Sequence, residues 1–247
     1  MFFGFIYFKK ARLTKYCVGV LGLERAGWEK LVDSLVKQGI LHSPSVIRAM
    51  RAVPRAKFVP ADMQGYTSVD SPLPIGFGQT ISAPHMVSIM NEALELEVGH
   101  KVLEVGAGSG WHSATIAEII APHDAPRSEW GHVFTVEIVL GLAEAARKNV
   151  MNAGYGDRVT IINGDGSKGY VEKAPYDRVV VTAAAPSVPK MLVDQLKSEG
   201  IMLVPVGNPS MFQNLLKISK QADGKIRDEN LGGVAFVPLT GEYGHKF

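Results

Sequence analysis

The chain has 247 residues, 46% hydrophobic and 20% charged, with a formal net charge of +2 and both signs mixed along its length. That composition is typical of a globular protein, and it gives no reason to expect a nucleic-acid surface. A single cysteine, Cys17, excludes an internal disulfide and fits a reducing compartment, so a cytoplasmic location is expected.

In chain order, residues 1–8 are strongly apolar, Lys9, Lys10 and Arg12 follow, and residues 16–23 form a second apolar patch. Each patch is shorter than the ~20 residues needed to span a bilayer, and the positive charge follows the first patch instead of preceding it. Residues 1–23 therefore read as a variable extension without stable membrane association. The domain is expected at 24–247, divided into a helical and loop part (24–100) and an α/β core with C-terminal strands (101–247).

Within 24–39, Trp28, Leu31, Val32, Leu35 and Val36 recur at helical spacing, and Gly39 stops the helix. Ser43 and Pro44 restart it as N-cap and first-turn residue, carrying Val46, Ile47 and Met50. Residues 58–79, rich in proline and glycine, read as an ordered loop or short hairpin. A helical stripe returns over 83–96.

Strands are then predicted at 101–105, 132–138, 158–163, 177–182 and 200–206. Helices are predicted between them at 111–120, 141–153, 166–171 (short) and 188–198. This alternation predicts a doubly wound, mostly parallel α/β sheet of Rossmann-like type, preceded by N-terminal helices. Segments 214–220, 225–230 and 234–238 add an antiparallel C-terminal edge. Residues 121–131 read as an insertion loop; His123 and Asp124 there lack partners at metal-ligand spacing, and no metal is expected.

The chemistry concentrates at VLEVGAGSG, residues 102–110. An apolar strand ends in Glu104, and Gly106, Gly108 and Gly110 then leave bare backbone against which a ligand can press. The following helix would turn its N-terminal amides toward that ligand. Trp111 stands where a dinucleotide fingerprint needs glycine, and no Lys-Ser/Thr pair follows, so nicotinamide and P-loop readings fail. Ligands of open parallel sheets lie at the carboxyl ends of strands. There Glu137 can grip both hydroxyls of a ribose, and Asp165, next to Gly166, can accept from an exocyclic adenine amine. The spacing from glycines to Glu137 exceeds the usual ~20 residues because of the 121–131 insertion. Upstream, Gln79, Thr80, Ser82 and His85 cluster in DSPLPIGFGQTISAPHM (70–86) as a polar pocket wall. Ser82 lacks the GxSxG elbow of a hydrolase nucleophile. His112 reads as a variable position, and Trp28 and Trp111 as packing residues.

Glu104-x-Gly106-x-Gly108-x-Gly110 resembles the cofactor loop of S-adenosylmethionine-dependent methyltransferases. The run PLPIGFGQTISAPHM (72–86) together with that loop resembles the protein-L-isoaspartate O-methyltransferase family. VPRAKFVP (53–60), GDGSKG (164–169), APYD (174–177), LVPVG (203–207) and GVAFVPL (233–239) agree with it. The likeness covers about 28–243 and departs at the N-terminal extension and the 121–131 insertion.

This resemblance implies methyl transfer from S-adenosylmethionine to the α-carboxylate of L-isoaspartyl residues in damaged proteins and peptides, leaving S-adenosylhomocysteine and starting repair through a succinimide. It implies Ser82 as an orienting hydroxyl and Gln79, Thr80, Ile81 and Ser82 over the methionine end of the cofactor, with His85 near. Glu104 and the glycines then hold the amino-acid part, Glu137 the ribose, and Asp165 and Gly166 the adenine; Thr240 lies near the pocket. A monomer without nucleic-acid partners is expected. Two rivals stay open at this point. One is a methyltransferase acting on RNA or a small molecule, although Thr182-Ala-Ala-Ala-Pro is not the Asn/Asp-Pro-Pro-Tyr/Phe sequence of amino-methylating nucleic-acid enzymes. The other is a binding module that keeps only cofactor affinity.

Overall fold

A computed structural model describes residues 25–246; the expected extension at 1–23, with Cys17, lies outside the described residues. Helix α1 covers 25–37 and α2 Pro44–Ala52, with Pro44 in the first turn as its fixed φ favours. Two 3-10 turns lead to a hairpin of β1 (Leu73–Gly76) and β2 (Gln79–Ile81), and α3 (Pro84–Ala93) follows. The proline- and glycine-rich stretch therefore holds a short hairpin forming a two-stranded sheet of its own.

The larger sheet has seven strands: β3 (Lys101–Val105), β4 (His132–Glu137), β5 (Val159–Asn163), β6 (Tyr176–Val181), β7 (Leu196–Val206), β8 (Gln213–Lys220) and β9 (Ile226–Val234). Their order is β5-β4-β3-β6-β7-β8-β9. The first five pair in parallel, and β8 and β9 add the antiparallel edge. Helices α4 (Trp111–Ile120), α5 (Leu140–Ala153) and α6 (Lys190–Asp194) lie between strands in the chain.

Successive side chains of the central strands enter opposite cores, as the two-residue period of a strand requires. Val102, Val180 and Leu203 join α1–α5 in one core, while Leu103, Val179, Val181, Met202 and Val204 form the other with Tyr176 and Leu192. Trp28 and Trp111 meet edge to face at 5.8 Å in the first core, and their indole N–H groups donate to Met50 O and Val53 O. After β3 the chain builds outward through β4 and β5, then returns to the other side of β3 with β6. That reversal opens a crevice at the carboxyl ends of β3 and β6.

The structure departs from expectation in three places. The helix predicted over 188–198 shrinks to α6, and β7 begins at Leu196. Tyr176 N donates to Gln195 O (2.9 Å) and Tyr176 pairs with Leu196, so the edge of β6 captures residues that helical spacing had claimed. The 166–171 helix becomes two 3-10 turns, Gly166–Lys168 and Val171–Lys173, separated by Gly169 at φ +73°. Residues 235–238 leave the sheet instead of forming a last strand. Ala184 N donates to Val237 O and Leu239 N to Ala184 O, which carries the C-terminal segment across the end of β6 toward the crevice. No helix among the described residues is long and apolar enough to cross a membrane.

Candidate active site

The glycine turn begins where β3 ends. Gly106 adopts φ +99°, and a Cβ there would come within 2.4 Å of Thr182 Oγ1, whose hydroxyl donates to Gly106 O (2.7 Å). Gly110 caps α4 at φ +84°; a Cβ on it would come within 2.7 Å of Val150 Cγ2 and 3.2 Å of Ala146 O on α5. Gly108 N donates to Glu137 Oε2 (2.9 Å), and Val139 N to Glu137 Oε1 (3.0 Å). The acid at the end of β4 thus ties the turn to the next strand. Each carboxylate oxygen has two lone pairs, so both keep capacity to accept from a ligand diol.

Glu104 is wholly buried. Its Oε2 accepts from Ser113 Oγ and from Thr135 Oγ1 (2.6 Å), while Oε1 has no hydrogen-bond partner. Burial pushes this carboxyl up to about 7; the two hydroxyls pull the other way, and the charge of Glu137 adds a smaller push. A buried carboxylate oxygen without a donor is costly, so this one is suited to a cationic or N–H group of a ligand. His112 Nδ1 lies 3.6 Å from Glu104 Oε1, and burial pushes the imidazole down to about 4, which keeps it neutral at pH 7. Its Nε2–H donates to Asn91 Oδ1 (3.1 Å).

One cavity collects most of the residues singled out in the sequence. Gln79, Thr80, Ile81, Ser82, Glu104, Gly106, Gly108, Glu137, Gly166 and Thr240 all line it. The hairpin and the sheet edge meet at this cavity: the ring of Phe77 at the hairpin tip packs against the bare Cα of Gly141 on α5, and Ile75 Cδ1 approaches Gly108. Ser82 is half-buried, and no described residue hydrogen-bonds its hydroxyl. A ligand with an ammonium group, a diol and an apolar body fits these walls: Glu104 Oε1 for the first, Glu137 for the second, and glycine backbone with Val136 and Leu142 for the third.

Three residues expected at the site are not part of the cavity wall. His85 is held away by Asp70, whose Oδ1 accepts from His85 N and meets its Nδ1, both at 2.9 Å. Gly110 packs α4 against α5. Asp165 accepts from Ser167 N and Oγ through Oδ1 and from Glu242 N (2.8 Å) through Oδ2. These bonds hold its carboxyl below the usual range, against the effect of partial burial, and Lys168 adds to them. Conversely, His112 and Thr182 do line the cavity. For Thr182 the available signal was a polar residue just past a strand end beside the switch in strand order. For His112 nothing in the sequence distinguished a wall from a surface. Among the described residues no three His, Cys, Asp or Glu side chains gather as a metal site.

Comparison with known proteins agrees with this geometry. The family model described as protein-L-isoaspartate(D-aspartate) O-methyltransferase matches residues 26–244. A protein-L-isoaspartate O-methyltransferase of Hyperthermus butylicus is 54% identical over 222 residues, 90% of this chain and 92% of the relative. Another, of Thermococcus sibiricus, is 52% identical over 89% of this chain and 96% of its own length. Among solved structures, a Plasmodium falciparum protein assigned as a protein-L-isoaspartate O-methyltransferase, in complex with S-adenosyl-L-homocysteine, superposes with a TM-score of 0.76 at 26% identity. It covers 86% of this chain and 98% of that one.

Proposed function

The chain belongs to the protein-L-isoaspartate(D-aspartate) O-methyltransferase family, and from that premise we propose how its residues divide the work. It is an S-adenosylmethionine-dependent enzyme that methylates the α-carboxylate of L-isoaspartyl residues in damaged proteins and peptides. The ester then cyclises to a succinimide without the enzyme as a backbone amide nitrogen displaces methanol, and hydrolysis returns some normal aspartate. When bound, the cofactor supplies a methyl group activated by its sulfonium. A reading in which the substrate is RNA or a small molecule finds no support among relatives that share this protein name over about nine-tenths of their length.

Glu104 Oε1 and the amides of the glycine turn hold the amino-acid end of the cofactor, and Glu137 holds its ribose. Gly166 lies against the adenine with its bare backbone pressed onto Val105, where a Cβ would meet Val105 Cγ1 at 2.8 Å. Gln79, Thr80 and Ile81 cover the methionine end. Asp165 serves at one remove, by fastening the C-terminal segment that brings Thr240 to the cavity. The substrate carboxylate is already ionised at neutral pH, so the protein needs no general base. Its task is to hold two reactants in line, which is worth up to ~7–11 kcal/mol. Ser82 donates its hydroxyl hydrogen to one oxygen of that carboxylate and so aims the other at the methyl group.

The observation that supports this reading best is the buried, partnerless Glu104 Oε1 in the same cavity as the Ser82 side chain. The mixed charge and net charge of +2 support a protein working without nucleic acid, and the single cysteine supports the cytoplasm; a monomer built on a single domain at 24–247 belongs to the same proposal. The test is methyl transfer from labelled cofactor to an isoaspartyl peptide and to its normal aspartyl twin. Base-labile label is expected on the isoaspartyl peptide only, and equal labelling of the two overturns the reading. Loss of one positioned donor lowers kcat about 100-fold, so Ser82→Ala should do so with cofactor affinity held within about twofold.

A further inference from the structure

Arg55 opens the 3-10 turn after α2 and has no solvent exposure. A guanidinium carries five N–H donors in one plane, and here five backbone carbonyls receive them. Nε donates to Thr67 O (3.3 Å). Nη1 donates to Ser71 O (2.8 Å) and Ser82 O (3.2 Å). Nη2 donates to Tyr66 O (3.3 Å) and Val69 O (2.6 Å). Burial pulls Arg55 down to about 10, which leaves it cationic at neutral pH, and Asp70 offsets part of that pull through its charge. The Trp111 ring backs the guanidinium at 5.8 Å.

The acceptors bracket the hairpin. Four lie just before β1, and the fifth is Ser82 itself, directly after β2. The hairpin pairs with no strand of the seven-stranded sheet, so the sheet does not fix its height above the glycine turn. Both its ends converge on one planar cation instead. Asp70 extends the arrangement through its two contacts with His85, three residues beyond Ser82.

We infer that Arg55 is the positioning residue for Ser82: by saturating its five donors on both flanks of the hairpin, it sets where the Ser82 hydroxyl stands in the cavity. The inference rests on the role given to Ser82 above. Lysine at this position keeps the charge but offers three donors in a tetrahedral arrangement, which cannot reach five carbonyls spread in a plane.

A double-mutant cycle on the full chain with Arg55→Lys, Ser82→Ala and the combination tests this, using an isoaspartyl peptide and melting each protein. Misplacement by about 1 Å can cost 10²-fold, so Arg55→Lys should lower kcat about 10- to 100-fold. Its dissociation constant for S-adenosylhomocysteine should change by less than about threefold, and in the Ser82→Ala background its effect on kcat should shrink to less than about threefold. Additive losses in the two backgrounds overturn the inference while leaving Ser82 in its role. A harmless Ser82→Ala overturns both. Should Arg55→Lys fail to fold, nitrogen-15 spectra of arginine side chains in the wild-type enzyme decide instead: hindered guanidinium rotation with slow proton exchange at Arg55 is expected, and free rotation with fast exchange overturns the inference.

Discussion

The wall made by β3, its glycine turn and α4 belongs to the central sheet, with every side chain of α4 buried. The wall made by the β1–β2 hairpin pairs with none of that sheet and hangs from Arg55, with Phe77 resting on Gly141 at its tip. Core packing and strand pairing fix the first wall; the second also sends Leu73 and Ile81 into the core, and bonds from one side chain to the backbone tie both its ends. In the division of work proposed above, the first holds the methyl donor and the second carries Ser82, so the two halves of the reaction can be disturbed separately.

The sharpest way to break the sheet-built wall is Gly106→Ala. The new Cβ would meet Thr182 Oγ1 in a backbone conformation that alanine rarely adopts, at a cost of about 4 kcal/mol. Calorimetric titration should detect no cofactor binding, and tight binding would mean that the turn can open without loss. A second, slightly smaller effect comes from Glu104. Its carboxyl titrates at about 7 in the folded protein against an ordinary 4.5, so the folded state holds the proton more tightly than the unfolded chain. The resulting stability is fully present below pH 4.5 and is lost as pH rises through about 7, a change of about 3 kcal/mol at ~1.4 kcal/mol per pH unit. His112, pushed down to about 4, works in the opposite direction as pH falls below 6.5. The quantity to read is therefore the stability difference between wild type and Glu104→Gln across this window, from urea titrations without cofactor. A flat difference would show that Glu104 is ionised in the apo fold.

Glu137→Gln tests the junction of turn and strand more gently. The amide keeps one acceptor oxygen in place of two, and losing one charge-assisted bond should weaken cofactor binding about 10-fold while leaving kcat at saturation unchanged. A fall in kcat with unaltered affinity would move Glu137 to the substrate side. The smallest effect belongs to the hairpin tip. Phe77 is 65% exposed, so truncation to alanine removes little packing besides the contact with Gly141. Cofactor release measured by stopped flow should quicken about threefold, as expected for part of a phenyl ring leaving contact. An unaltered rate would show that the tip does not retain the cofactor.

Much of the sheet-built wall was legible because its signals are local. Apolar β-branched runs, alternating glycines and an acid at a strand end occupy neighbouring positions, and the backbone they dictate brings them together. The helix predicted at 188–198 was misread because Leu196 satisfies a helical stripe and a strand partner equally well, and the edge of β6 decided between them. Asp165 before Gly166 has the same local pattern whether it accepts from a ligand or fastens Ser167 and Glu242. The bond from Glu242 N, 77 residues away, lies outside any local window and adds the second role without removing the first. His112 and Arg55 share this difficulty, since burial and carbonyl acceptors from distant turns give them their surroundings.

The 121–131 loop stands apart from the chemistry. It joins the end of α4 to the start of β4, at the pole of the sheet away from the cavity. There Arg158 lies between the rings of Trp130 and Tyr155, 4.9 and 4.3 Å from their centroids, and donates to Ala121 O. Glu118 receives the Tyr155 hydroxyl (3.0 Å) and pairs with His123 Nδ1 at 2.7 Å. With both shoulders of the excursion riveted down and Asp124 exposed between them, a fluorophore or immobilisation handle placed at 124 would report on the enzyme from a rigid mount without shading its mouth.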